Sequence, residues 1–365
     1  MLREFKVDNF KCFKEFKIEN LGRINIFLGS NNVGKSTLLE AIFGYACGKN
    51  LTPLLENTIL RMGRNRNQNI YNLIEKSLNT FNNKQNLEFS FEGKHDNKNL
   101  NTKFNYKLKP GTRFGEIEAE LNPNYFIQQN ETNNPTELLF NIEVFENNVR
   151  AKEESVFYPP INNYGMLAAE APFIVANYLN VSNFKDLAGL VRIYSMLKRE
   201  NSLKSIVEEL NKAFHNEIED IDMLPYPDGS QAPISIKTLE GKYIPIYEYG
   251  DGMQKWFSMI GNQIIYKNSL HCIDEIGDML HPEAQGFLGL NLSELAVKYN
   301  NQIFATTQSL EFVENYLKYL LDTKKEYLDE IRIITLKNIK GNIKARVLTG
   351  ENALELLIEN SVELR

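Results

Sequence analysis

The chain of 365 residues has few of the features that place a protein outside the ordinary globular class. Cysteine is scarce: Cys12, Cys47 and Cys272 are widely separated, so the sequence predicts neither a disulfide framework nor a zinc site. No apolar run approaches the roughly 18 residues that a membrane span needs. The first residues alternate apolar and polar types, without the apolar centre of a signal peptide. We therefore expect a cytoplasmic protein with no membrane partner.

The chain also lacks an excess of basic residues, since its net charge is −6. This balance argues against a generally basic surface for nucleic acid, but it leaves room for a local patch, so DNA stays open as a partner. With 42% hydrophobic and 24% charged residues, the composition is that of a globular protein. The length allows a sizeable core and about two structural units.

The hydrophobic pattern changes several times along the chain. Short strands are predicted within residues 2–28, followed by a helix over 36–47 that stops at a glycine. Several short alternating segments lie within 86–145 between turn-rich stretches, and they predict an antiparallel meander. Residues 183–217 have helical spacing. From residue 253 onward, helices alternate with buried strands, which is typical of an α/β unit.

A glycine loop stands between an apolar strand and the first helix. Its sequence, GSNNVGKS, is a complete G-x-x-x-x-G-K-S. In such a loop Gly34 lets the backbone curl so that N–H groups point at phosphate oxygens, Lys35 reaches the β- and γ-phosphates, and the Ser36 hydroxyl ligates Mg²⁺. The residues predicted to bind nucleotide are Gly29, Asn31, Asn32, Val33, Gly34, Lys35, Ser36 and Thr37.

Two adjacent carboxylates follow a second, partly apolar strand at residues 269–273. Asp274, at the strand tip, is predicted to hold Mg²⁺ opposite Ser36, and Glu275 to polarise the water that attacks the γ-phosphate. The same residues also match the D-x-x-G switch of small GTPases. That motif should follow the phosphate loop much more closely, and no guanine-reading N-K-x-D sequence is present. Adenine is therefore favoured over guanine.

A third segment, GDGMQK at residues 250–255, precedes a helical run. Taken with the phosphate loop, the I-D-E-I-x-x-x-L-H-P segment at 273–282 and FATTQS at 304–309, it makes the chain resemble the ABC-type P-loop ATPases of the RecF, SMC and OLD group. The resemblance is greatest to the compact AAA-labelled ATPases of bacterial defence operons. It covers residues 1 to about 312, and four motifs in order are far more specific than any one of them.

The resemblance implies a head-to-tail dimer in which Gly250, Asp251 and Gly252 cap the nucleotide held by the opposite subunit. Backbone N–H groups at Gly252, at a helix N-terminus, would face the γ-phosphate. Asp251 is expected to be the N-cap of that helix. We expect His281 in the dimer-facing loop after the carboxylates, with a simple helix-capping histidine as the alternative.

Gln308 departs from the family pattern, which usually has histidine at this position, contacting the γ-phosphate and orienting the catalytic water. Glutamine can donate a hydrogen bond but carries no charge, so nucleotide binding should survive while hydrolysis is slowed. The family's Q-loop has no secure counterpart in the sequence. Residues 158–162 are a candidate for it.

These observations predict an α/β fold, an ABC-type ATPase head with a mixed-sheet core at about 1–48 and 235–345. An antiparallel β meander is expected at about 49–150 and a helical insertion at about 160–230. The predicted activity is hydrolysis of ATP with Mg²⁺, coupled to closing and opening of a homodimer or a higher homo-oligomer. By analogy with the family alone, the biological role is bacterial anti-phage defence or DNA maintenance, with a separate effector protein.

Three alternatives remain at this point. The ATPase subunit of a membrane transporter would carry L-S-G-G-Q, which is missing, and a long insertion separates Lys35 from Gly250. An OLD-like nuclease needs an appended acidic domain, yet only about 55 residues follow Ser309, and the four scattered histidines supply no H-N-H site. Cleavage of DNA would then fall to a partner chain. An SMC-like DNA tether needs a long coiled coil, and no heptad pattern persists.

Overall fold

The computed structural model describes residues 1–50, 53–54, 87–96, 98–110, 138–158, 173–180, 184, 186–214, 218–223, 233–278 and 280–360. The strands are β1 Leu2–Phe10, β2 Phe13–Ile18, β3 Ile24–Leu28, β4 Leu87–His95, β5 Lys98–Pro110, β6 Leu138–Glu146, β7 Val149–Tyr158, β8 Ala176–Leu179, β9 Ile218–Met223, β10 Ile234–Thr238, β11 Tyr243–Pro245, β12 Leu270–Ile273, β13 Gln302–Thr306, β14 Ile331–Ile339 and β15 Asn342–Thr349. The helices are α1 Lys35–Cys47, α2 Leu187–Arg199, α3 Leu203–Phe214, α4 Asp251–Ile265, α5 Pro282–Lys298, α6 Leu310–Thr323 and α7 Gly350–Asn360.

A mixed sheet forms the centre of the molecule, with the strand order β15-β14-β3-β13-β12-β8. The strands from β14 to β8 pair in parallel, and β15 joins β14 as an antiparallel edge strand. Strands β3, β12 and β13 are buried along their whole length, as their continuous apolar runs require when both faces are covered. The carboxyl ends of the parallel strands meet at one edge.

An antiparallel sheet with the order β2-β1-β4-β5-β6-β7 covers one face of this centre. Helix α1 lies between the two sheets, and nearly all of its residues are buried. Strands β1 and β4 contribute interlocking phenylalanines to the core there, since Phe10 lies 5.1 Å from Phe91 between ring centroids. This explains why the helix after the glycine loop is apolar all round and not amphipathic.

Helices α2 to α6 cover the opposite face of the mixed sheet and share a second apolar core with it. Alternation along the central strands divides the side chains between the two cores. In β3, Ile26 faces the helices and Phe27 faces the antiparallel sheet, and in β13 Ala305 and Phe304 are divided in the same way. A small sheet with the order β11-β10-β9 packs beside α2 and α3 and leads directly into α4.

The α/β class predicted from the sequence is confirmed, with details that the sequence pattern did not give. Strands β1 and β2 belong to the antiparallel sheet, while β3 alone of the first three enters the mixed sheet. The region of the predicted helical insertion contains α2 and α3 but also β8, which pairs with β12 in the mixed sheet. The domain boundaries themselves stay a prediction. None of the helices in the described ranges has both the length and the apolarity to cross a membrane.

Candidate nucleotide-binding site

The predicted phosphate loop, the two carboxylates and Gln308 meet at the carboxyl edge of the mixed sheet. The glycine loop follows β3, the two carboxylates follow β12 and Gln308 follows β13, and these three strands are neighbours. Open parallel sheets bind ligands at this edge, because the loops that leave adjacent strands converge there. Residues far apart in the chain are thereby brought into direct contact.

The glycine loop needs a backbone that few residues adopt. Gly34 has φ 103° and Asn32 has φ 62°, both in the left-handed region. A Cβ at Gly34 would lie 2.7 Å from the sulfur of Cys12, so glycine is required by both conformation and space. Helix α1 starts at the next residue, and its first N–H groups therefore open toward the loop. Asn31 and Asn32 are exposed, whereas Val33 is buried and anchors the loop.

Lys35 is the first residue of α1 and is buried, with 6% of its surface exposed. Its ammonium donates to the carbonyl oxygens of Gly29 at 2.8 Å and Ser30 at 3.2 Å, which places the charge inside the loop. Thr37 lies in the same helical turn, beside the Cys12 thiol, whose pKa is raised by burial and lowered in part by the Thr37 side chain. A buried cation enclosed by backbone groups is suited to binding phosphate, because little water competes for it.

Ser36 and Asp274 meet although 238 positions separate them in the sequence. The Ser36 hydroxyl donates to Asp274 Oδ1 at 2.8 Å, and the hydroxyl of Thr306 donates to the same oxygen at 2.6 Å. Thr306 Oγ1 also accepts the backbone N–H of Glu275 at 2.8 Å. The threonine at the end of β13 thus fixes both the carboxylate and the turn that follows it.

Glu275 occupies a strained position beside this cluster, with φ 53°. Its Oε1 accepts a hydrogen bond from Gln308 Nε2 at 3.1 Å, while its Oε2 is buried without a partner among the described residues. Burial raises the pKa of the Glu275 carboxyl, and the negative charges of Asp278 and Asp274 add to the shift. A half-buried carboxyl with one uncommitted oxygen can accept a proton from a water molecule.

Helix α4 touches this turn through Lys255. The lysine is fully buried, and its ammonium donates to the carbonyl oxygens of Glu275 at 2.7 Å and Asp278 at 2.8 Å. Burial lowers the pKa of Lys255 to about 8, against the opposing effect of the nearby carboxylates. The ring of Phe184 lies 5.0 Å from the ammonium. The backbone conformation at Glu275 therefore depends on the helix that carries the GDGMQK segment.

The signature residues, as we call Gly250 to Gly252, lie at the amino terminus of α4, as the sequence predicts. The prediction that Asp251 is the N-cap is wrong. Gly250 is the N-cap, with φ 93°, and Asp251 is the first helical residue. Asp251 therefore sits in the first turn, where a negative charge is favourable against the helix dipole, and glycine takes the cap because L-residues rarely adopt this φ. A Cβ at Gly250 would meet no atom within 4 Å, so the approach to this helix end is open.

His281 precedes α5 in the N-cap position, but its side chain makes no capping hydrogen bond. The imidazole is 75% exposed, and Nδ1 lies 3.9 Å from Glu283 Oε2. Of the Q-loop candidate at residues 158–162, Tyr158 is the last residue of β7, and residues 159–162 lie outside the described residues. Strand β8 ends beside β12, where Leu179 O accepts the N–H of Asp274 at 2.8 Å and buried Asn180 follows.

Three contacting residues were not predicted from the sequence: Thr306, Lys255 and Asp278. Thr306 lies in the FATTQS motif and Lys255 in GDGMQK, but the motifs alone do not indicate what these two side chains contact. A hydroxyl and an ammonium acquire a role only when the fold supplies partners from distant strands, here Asp274 for Thr306 and the turn at Glu275 for Lys255.

The oxygen cluster at Ser36 and Asp274 fits Mg²⁺. A serine hydroxyl and a carboxylate converge within 2.8 Å beside a phosphate loop, which is the hard-oxygen set that Mg²⁺ prefers when substrate phosphates and water complete its shell. Within the described residues, no group of three His, Cys, Asp or Glu side chains forms a dedicated metal cage. The residues present therefore fit Mg²⁺ bound together with a nucleotide.

Fold and site together define this chain as a P-loop ATPase. It belongs to the family described as "AAA domain, putative AbiEii toxin, Type IV TA system", which matches residues 24–314. The match spans all four motifs and runs across both the mixed sheet and the intervening antiparallel sheet.

Comparison with individual proteins agrees with this assignment. A protein of Helicobacter pylori (strain ATCC 700392 / 26695) named ATP/GTP phosphatase is 25% identical over 395 residues, covering 100% of both chains. The crystal structure of an SMC head bound to the C-winged helix domain of ScpA superposes with a TM-score of 0.55 at 14% identity, covering 97% of this chain and 99% of that one. A RecF structure superposes with a TM-score of 0.44 at 12% identity, covering 94% of this chain and 98% of that chain. The first superposition supports the fold.

Proposed function

We propose that the protein hydrolyses ATP at a site shared between two subunits, so that binding closes a head-to-tail dimer and hydrolysis opens it. One observation carries this proposal: the start of α1, with Lys35 and Ser36, converges at one sheet edge with the turn after β12, which holds Asp274 and Glu275. This convergence supplies a phosphate cradle, a metal-binding oxygen pair and a carboxylate base within one cluster.

Each residue has a distinct part in the proposed reaction. The loop amides and the Lys35 ammonium bind the β- and γ-phosphates, while Ser36 and Asp274 hold Mg²⁺, which neutralises phosphate charge when bound. Glu275, held by Gln308, takes the proton of the attacking water. Gln308 keeps the Glu275 side chain in place, and its lack of charge is expected to slow the reaction.

The second subunit enters through the amino terminus of α4. The three residues Gly250 to Gly252 stand at the amino terminus of α4, and the positive end of a helix dipole favours binding of a phosphate. The γ-phosphate held by one subunit would be capped by this helix end of the other. Closure thereby depends on the triphosphate, and its loss weakens the dimer. We assign His281, which is exposed after the carboxylates, to the same interface.

For the biological role we propose anti-phage defence or DNA maintenance with a separate effector protein, in the cytoplasm. The family description refers to a toxin of a type IV toxin–antitoxin system, and this supports a defence context. The H. pylori relative's name supports nucleotide hydrolysis as the shared activity. Two alternatives are an ATPase subunit of a membrane transporter and an OLD-like nuclease component that acts on DNA. The first would co-purify with a membrane protein and the second with DNA.

The closing step is tested with Glu275→Gln, which keeps the shape and the Gln308 contact but removes the base. Turnover should fall by about 10²-fold or more, and an ATP-bound dimer should accumulate in size-exclusion chromatography. Glu326→Gln is the matched control, since Glu326 is exposed ahead of β14, at the sheet edge opposite to the site. A Glu275→Gln protein that turns over normally, or that elutes as a monomer with saturating ATP, would contradict the proposal.

A further inference from the structure

The hairpin that joins β14 and β15 projects beyond the carboxyl edge of the mixed sheet. The last β14 residue paired with β3 is Thr335, opposite Leu28, and the strand then continues past the glycine loop. The hairpin packs on that loop: a Cβ at Gly29 would lie 2.7 Å from Leu336 O, and a Cβ at Gly34 would lie 3.3 Å from Ile343. The hairpin tip therefore flanks the phosphate site.

The tip concentrates positive charge on exposed positions. Lys337 and Lys344 stand directly opposite each other in the β14–β15 register, and Lys340 occupies the turn between them. All three are exposed, and between them Ile339 exposes 48% of its surface. Like charges directly opposite each other destabilise a hairpin, and an anionic partner would offset this repulsion. We call Lys337, Ile339, Lys340 and Lys344 the basic hairpin.

A second exposed surface, with acidic and apolar side chains, precedes Gly250 in the chain. The β10–β11 hairpin exposes Leu239 by 60% and Tyr243 by 41%, and the 3-10 turn that follows β11 exposes Tyr247 by 45%. Glu240 and Glu248 are exposed among these apolar side chains, and Glu240 pairs with Lys242 at 2.7 Å. Gly250 lies two residues after Glu248. We call Leu239, Glu240, Tyr243, Tyr247 and Glu248 the acidic patch.

We infer that the basic hairpin of one subunit docks on the acidic patch of a second copy of this chain. The inference rests on the proposed head-to-tail dimer, in which the phosphate-loop side of one subunit faces the signature side of the other. The two surfaces flank those two motifs and match in both charge and apolar content. Two-fold symmetry forms the contact twice per dimer, once on each side.

Nucleic acid is the other anionic partner that a basic hairpin could take. Two observations favour the second copy. Ile339 places an exposed apolar side chain among the lysines, which suits Tyr243 and Tyr247 better than a row of phosphates. The net charge of −6 also makes the remainder of the chain repel a polyanion. Lysine contacts to phosphate would also make the binding strongly salt-dependent, and the experiment uses this.

Charge reversal on either surface tests the contact in the Glu275→Gln background with ATP. The hairpin variant carries Lys337→Glu and Lys340→Glu, and the patch variant carries Glu240→Lys and Glu248→Lys. Each alone should weaken ATP-dependent dimerisation, measured by sedimentation velocity, by about tenfold, because exposed pairs are lost and replaced by repulsion. Lys267→Glu, an exposed lysine ahead of β12 at the opposite sheet edge, should have no effect.

Measuring dimerisation after the two variants are mixed is the decisive experiment. In a mixed dimer, one contact joins the reversed hairpin to the reversed patch, and the other joins two unchanged surfaces. The mixture should therefore dimerise about as tightly as the parent protein, although each variant alone does not. Unweakened dimerisation by the separate variants, or no recovery on mixing, overturns the inference.

Further measurements distinguish a failure of the docking inference from damage to the protein and from failure of the proposed function. ATP affinity and the thermal midpoint of each variant should equal those of the parent, which excludes damage to the fold or to the phosphate site. If the parent itself forms no dimer with ATP, the proposed function fails. If the parent dimerises while the hairpin variant loses only salt-sensitive binding to a DNA duplex, the hairpin binds nucleic acid and the docking inference is wrong.

Discussion

At the residue scale, Gln308 holds one oxygen of Glu275 from the end of β13 at a distance of 3.1 Å. An amide can orient the carboxylate, but it cannot supply positive charge to the transition state. Gln308→His should therefore raise steady-state phosphate release, by on the order of tenfold, while Gln308→Ala should lower it. ATP affinity should change little in either variant. A slower Gln308→His protein would show that the site is adapted to glutamine.

The sequence was most informative about residues whose chemistry is local. Gly34 and Lys35 could be placed because a phosphate loop uses consecutive residues, and the structure gives Gly34 the left-handed backbone that only glycine adopts freely. Thr306 could not be assigned in this way. Its two hydrogen bonds go to Asp274 and Glu275, so its importance comes from the pairing of β13 with β12.

At the scale of the element, α4 joins the open signature end to the carboxylate turn through Lys255. Lys255→Met removes both hydrogen bonds and leaves the carbonyl oxygens of Glu275 and Asp278 without their buried donor. We expect turnover to fall by about tenfold or more while ATP affinity stays within about threefold, because the phosphate loop is untouched. Steady-state kinetics and nucleotide titration check this, with Lys267→Met as the surface control. An equal loss of affinity would mean that the helix supports binding and not the turn.

Assignment of elements to sheets was the least predictable step. Strand β8 is short, and the alternation of its residues does not say which sheet it joins. Its pairing with β12 depends on a long-range crossover. Strands β1 and β2 lie in the range predicted as the mixed-sheet core, yet they pair with each other, and β1 pairs with the distant β4 in the antiparallel sheet. Local pattern specifies a strand, and tertiary pairing specifies its partner.

For the whole molecule, two histidines, one partly buried and one completely buried, give stability a pH dependence. Burial lowers the pKa values of His95 and His271 to about 4 each, so both are neutral in the folded state at neutral pH. The unfolded chain takes up these protons below about pH 6.5, and stability should therefore fall as the pH drops from about 6.5 to about 4. Because His271 is completely buried, its protonation alone lowers the free energy of unfolding by up to about 3 kcal/mol across this pH range. Urea unfolding across this range should show a flatter profile for His271→Gln, and an unchanged slope would contradict the assignment.

The shared-site account is tested most directly by mixing two inactive proteins. Lys35→Ala removes the cation of the phosphate loop, and Gly252→Arg places a long side chain in the first turn of α4, where the partner's nucleotide would sit. Each homodimer then has two defective sites. In a mixed dimer one site carries both defects, and the other joins an intact phosphate loop to an intact signature. If subunits exchange randomly, the mixture should regain roughly a quarter of wild-type phosphate release, because half the dimers are mixed and each has one good site. Activity that stays at zero at every mixing ratio, although exchange of subunits is shown, or a wild-type protein that is fully active as a monomer, would contradict the account.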